Sequence, residues 1–302
     1  AIVYFFLSSC MSSSIRRVAI GSSAEQGSSI STTEGSVATD WEIELGFIIG
    51  TRATLVIDTG MGRRNGEIVG SQGSIPFRLK EGSRLLDASW AVDLMVDPAW
   101  RLRGVGPALT DAHTTSEPLV AALSISEAAY RAYLRGGWVD LGDIPNYVRP
   151  RDVDWSIRQA GLHGASALAA QAVIRPALAA TRLGTAVAAR LMGTSLRRID
   201  RFDDRVDRVW ASAARRYPVI AARDFAALAW RFDAVPDADC DTRYYLMQGE
   251  RVRGYVVTRL EPWRDGQVLA IVDFLATPRW LLPLLGHVAA LEETRQAVAV
   301  TC

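Results

Sequence analysis

Apolar positions fall in short runs of period two, set apart by glycine-rich turns, with longer stretches of helical spacing between them. The strongest run, "LLDASWAVDLMV" (85–96), predicts a strand. "GEIVGSQGSIPF" (66–77) predicts a strand broken by its glycines, and "EGSR" (81–84) the turn between the two. "WEIELGFIIG" and "TRATLVID" (41–58) predict two strands, or a short helix and a strand. Helical spacing follows Gly106 and returns over 126–135. "GWVDLG" (137–142) and "NYVRP" (146–150) then predict short strands that close this half.

Residues 151–194 are alanine-rich and helical, and Gly161, Gly164 and Pro176 predict two or three pieces. A new series follows. "LRRIDRF" (196–202) predicts a strand and "DRVDRVWASAARRY" (204–217) an amphipathic helix with Asp204 as N-cap. "RDFAALAWRFDAVP" (223–236) predicts a helix stopped before Pro236. Three strands come next, "RYYLM" (243–247), "RVRGYVVTRLE" (251–261) and "QVLAIVDFLATP" (267–278). A helix over 279–296, with Pro283 in its first turns, precedes a last strand, "AVAVTC". The first 40 residues, rich in Ser, Gly and Thr, read as a flexible segment.

The two halves echo each other. "NGEIVGSQGSIPF" (65–77) matches "QGERVRGYVVTRL" (248–260), and "AVDLMVDPAW" (91–100) matches "AIVDFLATPRW" (270–280). Each pair holds a Gly-Glu turn, strands, a Val-Asp and a proline before a helix, which predicts duplication of one α/β unit.

Composition narrows the chemistry a little. The chain has 302 residues, 49% hydrophobic and 22% charged, an ordinary globular balance long enough for two domains. Net charge is +1, so no overall field draws the chain to nucleic acid. Lys80 is its only lysine, read first as compositional bias and only second as anion recognition. Cys10, Cys240 and Cys302 have no C-x-x-C spacing, and His113, His163 and His287 have no metal-ligand spacing. Both patterns point to a reducing, cytoplasmic setting without a metal. "AIVYFFLSSC" ends like a lipoprotein cleavage box but lacks a basic leader, so export is not expected, and Met11 could be the real start. The 159–192 stretch is broken by Arg175, Pro176, Arg182 and Arg190, so no membrane span is expected.

The chemistry concentrates in "LMVDPAWRLRGVGPAL" (94–109). A strand, a glycine turn and a helix leave unpaired N–H groups at the helix start, where the helix dipole also favours an anion. Glycine lets the backbone approach it closely, and Arg101 and Arg103 add donors beside it. A dinucleotide fingerprint lacks its third glycine here, and a P-loop lacks its Gly-Lys-Ser/Thr.

This stretch resembles motif A of the GNAT-type acyl-CoA N-acyltransferases, V-x-P-x-x-R-x-x-G-x-G/A between a strand and a helix. "SISEAAYRAYLRGGW" (124–138) resembles the family's second motif, with Ser126 where Asn is usual, Ala129 and Tyr133 matching, and Gly137-Trp138 for Gly-Phe. The resemblance covers about 65–150 well, and 195–302 through the repeat. It implies an α/β fold in two tandem copies, each a mixed, mostly antiparallel sheet flanked by helices. The boundaries are a flexible 1–40, a GNAT-like domain over 41–150, a connector over 151–194 and a second, incomplete domain over 195–302 that lacks the glycine loop.

The resemblance further implies acetyl-CoA as donor, no metal, and a small-molecule or peptide amine as acceptor attacking the thioester directly. Leu94 and Val96 would pair with the pantetheine arm. Arg101, Arg103, Gly104, Val105 and Gly106 would hold the diphosphate, and Tyr133 would be the general acid. No base is assigned: Asp93 has a counterpart, Asp273, in the half without the loop, which favours a structural role, and Asp87, Asp97 and Glu67 are weaker choices. "WRFDAVP" with Tyr244 and Tyr245 puts Arg231 and aromatics where acceptor contact or core packing would use them. The family's first strand and two helices have no clear match before residue 65. Two alternatives stand beside the enzyme: a non-catalytic acyl-CoA-binding module, and an aminoacyl transferase on the same fold.

Overall fold

A computed structural model describes residues 17–22, 42–48, 57–64, 67–123, 125–144, 147–234, 240–263 and 266–302. The chain divides into two compact units. The first is formed by Ser14–Pro145 with Pro218–Ala222, and the second holds Asn146–Tyr217 and Arg223–Cys302.

The first unit is built on β1 (Arg17–Ser22), β2 (Glu42–Ile48), β3 (Ile57–Arg64), β4 (Glu67–Glu81), β5 (Arg84–Val96), β6 (Leu119–Leu123) and β7 (Val139–Asp143). Their order in the sheet is β2-β3-β4-β5-β6-β1-β7, and a short strand from later in the chain, β10 (Val219–Ala221), pairs antiparallel with the end of β4. Every step is antiparallel except β5–β6, which is parallel. Helix α1 (Val105–Ser116) connects the parallel pair, as a crossover must. Helix α2 (Glu127–Arg135) lies between β6 and β7.

The second unit repeats this order. Strands β8 (Val148–Pro150), β9 (Thr194–Ile199), β11 (Thr242–Gln248), β12 (Arg251–Trp263), β13 (Gly266–Ala276) and β14 (Ala299–Thr301) run β8-β14-β13-β12-β11-β9. Only β13–β14 is parallel, and α7 (Pro278–Val288) stands between the two. Its helices α3 (Val153–Gln159), α4 (Gly164–Leu191), α5 (Arg205–Ala214) and α6 (Phe225–Leu228) flank this sheet. In both sheets the strand beyond the parallel step comes from earlier in the chain: β1 pairs antiparallel with β6, and β8 with β14.

The sequence repeat lies at the same place in the two sheets. Gly70 pairs with Val96 at the end of β5, and Gly254 with Ala276 at the end of β13. Neither tolerates a Cβ: at Gly70 it would lie 2.9 Å from Val105 Cγ1, and at Gly254 2.9 Å from Ala276 Cβ. Asp93 and Asp273 each stand three residues before these ends.

Several sequence expectations change. The glycines of 66–77 do not break β4, because β3 and β5 pair with it along this stretch. "NYVRP" does not close the first half; β8 joins the second sheet through β14. Pro176 does not divide α4, which runs on through it, whereas the chain does break between α3 and α4 around Gly161. Asp204 sits at the N-cap of α5 without capping it; Asp203 Oδ1 accepts from the Arg205 N–H instead. The segment read as flexible contains β1, and the rest of residues 1–40 lies outside the described residues, as does Pro236. The helix over 223–236 is shorter than expected: α6 passes into a π-helical turn, Ala229–Asp233.

The second core fills between its sheet and α7 with Leu246, Val256, Leu269, Leu284 and Val288. Helix α7 approaches α4 closely, since a Cβ on Gly286 would fall 2.6 Å from that of Thr185. Cys240 and Cys302 are free and exposed. No helix among the described residues is long and apolar enough to cross a membrane.

Candidate functional site

The two strands of the parallel pair stay together for only three rungs, Ser89–Val120 to Ala91–Ala122. Beyond Ala91, β5 continues to Val96 with no described strand on its β6 side. A bulge in this free stretch loosens the other side as well. The register with β4 steps from Val92–Gly73 to Met95–Ser71, so Asp93 and Leu94 face no single partner. Asp93 takes φ 51°, an uncommon conformation for a residue with a side chain, and its carboxylate is exposed. Leu94 thus lies where the sheet has an open seam. Val96 differs, because its carbonyl accepts a hydrogen bond from Arg101 Nε at 3.2 Å.

The loop after β5 begins with a 3-10 turn, Pro98–Trp100, capped by Asp97, whose Oδ1 accepts from the Ala99 N–H at 2.7 Å. Leu102 (φ 63°) and Gly104 (φ 87°) are left-handed while Arg103 between them is not. Alternating hand turns neighbouring N–H groups to a common side. Gly104 is the N-cap of α1 and has no side chain to satisfy the helix start. Among the described residues, no hydrogen bond is made by the N–H groups of Leu102, Arg103, Gly104, Val105 and Gly106. The first turn of α1 carries no acidic residue, so nothing competes with an incoming anion. Arg101 and Arg103 are exposed, the latter stacked over Trp100 at 5.2 Å. Val105 is fully buried against Val69 and Leu109, and this anchors the helix start beneath the loop.

Helix α2 brings Tyr133 to the point where β5 and β6 part. Ser126 caps this helix, its Oγ accepting from the Ala129 N–H. Tyr133 is 2% exposed, packs with Ala91, Val120 and Ala122, and stacks on Trp138 with ring centroids 4.3 Å apart. Leu94 packs against the same cluster. Burial pushes the Tyr133 phenol up to about 12. The structure therefore groups Leu94, Val96 and Tyr133 around one seam, and Arg101 to Gly106 at its end.

Sequence reasoning missed a buried polar layer beneath α1. Alternation along β4 puts Gln72 and Ser74 on the face of Gly70, whose missing Cβ looks at Val105 and Leu109 of α1. Gln72 is 2% exposed, and neither end of its amide has a hydrogen-bond partner among the described residues. Val256 fills the equivalent place in the second sheet, two residues after Gly254. Nearby, Ser89 Oγ and His113 Nε2 form a buried hydrogen bond of 2.9 Å. Burial lowers the His113 pKa to about 4. Leu109 and His113 share a face of α1 at i and i+4, which was readable; their strand partners were not.

In the second unit, the aspartate at the place of Asp93 is locked away. Asp273 is 5% exposed and pairs with Arg223 at 2.9 Å and Arg231 at 3.3 Å. Tyr255 lies in the same group, its phenol raised by burial and by that carboxylate. Arg231 therefore serves an internal ion pair and also stacks on Phe232. Tyr244 donates to Glu293 and Tyr245 to Asp203. The expectation for "WRFDAVP" resolves toward packing and pairing. The described residues contain no group of three or more His, Cys, Asp or Glu that could hold a metal ion.

No family model and no curated protein matches this chain. Solved structures do. A GCN5-related N-acetyltransferase from Anabaena variabilis aligns with a TM-score of 0.52 at 14% identity, over 80% of this chain and 54% of its own. A probable N-acyltransferase of unknown function from Enterococcus faecalis gives 0.49 at 11%, over 82% and 55%. N-myristoyltransferase from Saccharomyces cerevisiae, with bound myristoyl-CoA, gives 0.48 at 11%, over 80% and 62%. The chain thus spans little more than half the length of these proteins. The first of these likenesses shows a GNAT-like α/β fold of mostly antiparallel sheets flanked by helices.

Proposed function

We propose that the chain is an acyl-CoA-dependent N-acyltransferase whose donor site lies in the first unit. One observation carries the reading: the open seam of β5 leads directly to the five N–H groups of Leu102–Gly106 that no described group accepts from. A long thioester with a diphosphate fits this arrangement of free strand edge and uncapped helix. Arg101 and Arg103 would flank the diphosphate, and the Leu94 and Val96 backbone would take the pantetheine arm once Arg101 leaves the Val96 carbonyl. The two units are read as tandem copies of one fold, with the second without a donor site because its Asp273 position is filled by ion pairs.

In the reaction, an amine attacks the thioester carbonyl, forming C–N and breaking C–S. The amine loses one proton and the departing thiolate gains one. Tyr133, with a phenol near 12, stays protonated at neutral pH and donates a hydrogen bond to the developing thiolate. Full transfer from so weak an acid to a thiolate of ordinary pKa, about 8.5, is uphill. The proton consequently comes from the amine, with Tyr133 stabilising the sulfur meanwhile. Acetyl is the proposed acyl group and a small-molecule or peptide amine the acceptor. The deep burial of Tyr133 favours a second reading, acyl-CoA binding without turnover.

Melting curves with and without acetyl-CoA test the donor site, and an upward shift is expected. Thiol release with a panel of amines tests turnover. Tyr133→Phe removes the hydrogen bond to the developing thiolate and is expected to slow turnover by about 10²-fold while the acetyl-CoA shift persists. No shift with wild type removes both readings, and a shift without thiol release leaves the binding module.

A further inference from the structure

Helix α5 and strand β12 of the second unit send arginines to one place. Arg205, Arg208, Val209 and Ser212 follow at i, i+3, i+4 and i+7, a single stripe of α5. Arg251 and Arg253 lie at the start of β12, where a register shift against β11 brings Arg251, Val252 and Arg253 to the same pocket. The two rows line a pocket of about 360 Å³ together with Glu250, Thr277 and Trp280. Arg205 is held by Asp203 at 2.7 Å, and Arg253 by Gln248 while it stacks on Trp280. Arg208 and Arg251 have no partner among the described residues. Four guanidinium groups stand against two carboxylates, Glu250 in the lining and Asp203 on Arg205, and leave the pocket with a net positive charge. Thr277, the N-cap of α7, makes no side-chain cap, so the positive end of that helix also faces this corner.

We propose that this pocket binds a small phosphate-bearing molecule distinct from the acyl donor. Arg208 and Arg251 remain after Glu250 and Asp203 are counted, and guanidinium forks match phosphate oxygens in pairs. The backbone cradle proposed for CoA is not repeated here: the donors are side chains of α5 and β12, no glycine loop precedes α7, and Pro278 removes an N–H. Trp280 at the edge, already stacked with Arg253 and Arg279, offers a flat face beside the anion.

Inorganic pyrophosphate is the probe, titrated calorimetrically into the full chain carrying Arg101→Ala and Arg103→Ala, which weakens any anion site on the first unit's loop. Binding is expected to persist in that background. Adding Arg208→Ala and Arg251→Ala, both exposed positions, is expected to weaken it about tenfold or more without moving the ligand-free melting temperature. Equimolar CoA is expected to leave the titration unchanged. No binding in the first background, equal affinity in both, or displacement by CoA overturns the proposal.

Discussion

His113 shows how one side chain couples burial to pH. Its imidazole is held neutral by burial, with a pKa near 4 against about 6.5 for the unfolded chain. The unfolded state therefore takes up a proton first as pH falls. The stability from this group is complete above pH 6.5, declines from there toward 4, and is gone below that. The difference amounts to about 3 kcal/mol at most. His113→Gln keeps a partner for Ser89 Oγ but does not titrate. The wild type is expected to lose melting temperature faster than this variant between pH 7 and 4, and parallel curves would refute the assignment. The histidine's place on the apolar stripe of α1 was legible from its spacing with Leu109. Its partner was not, because Ser89 looks like any polar residue in an apolar run until β5 is set beneath α1. Gln72 was hidden for the same reason: strand alternation says that it shares a face with Gly70, but only the sheet says that this face is covered.

At the scale of elements, the glycines divide into those the fold needs and those only a ligand would need. At Gly70 a methyl would meet Val105 Cγ1 at 2.9 Å, Leu109 Cδ1 at 3.1 Å and the Met95 carbonyl at 3.1 Å, so α1 or β5 must move. Gly70→Ala is expected to destabilise by about 1–3 kcal/mol. At Gly106 a methyl meets only Val96 Cγ2, at an ordinary 3.6 Å, and alanine suits a helix better than glycine. Gly106→Ala is expected to keep or raise the melting temperature yet weaken acetyl-CoA binding, since the added methyl stands beside the free N–H groups. Undiminished binding in this variant would remove the loop from the donor site. The sequence made the strand, loop and α1 readable, because alternation, proline and glycine are local signals. It did not distinguish a continuous β4 from a broken one, nor foresee that α4 carries Pro176 through, because neighbouring strands and helices decide those cases.

For the whole molecule, the repeat was legible as a pattern but its pairing was not. The matched segments became β4 and β12, then β5 and β13, with Gly70 and Gly254 at equivalent rungs. That β1 would fill the slot beside β6, or β8 the slot beside β14, depends on pairing between segments far apart in the chain, such as Val18 with Leu123 and Val148 with Thr301. No periodicity carries that information. The same comparison separates the units chemically. The first has an open bulge at Asp93 and an uncapped glycine loop, whereas the second has Asp273 sealed by Arg223 and Arg231. One acyl-CoA per chain is therefore expected by calorimetric titration, although both sheets carry one parallel step with a helix across it. Opening the second unit with Arg223→Met removes a buried carboxylate's partner and is expected to lower stability by about 3 kcal/mol or more without creating a second site. A stoichiometry of two in the wild type would show that the sealed aspartate is no barrier and that the glycine loop is not what admits the donor.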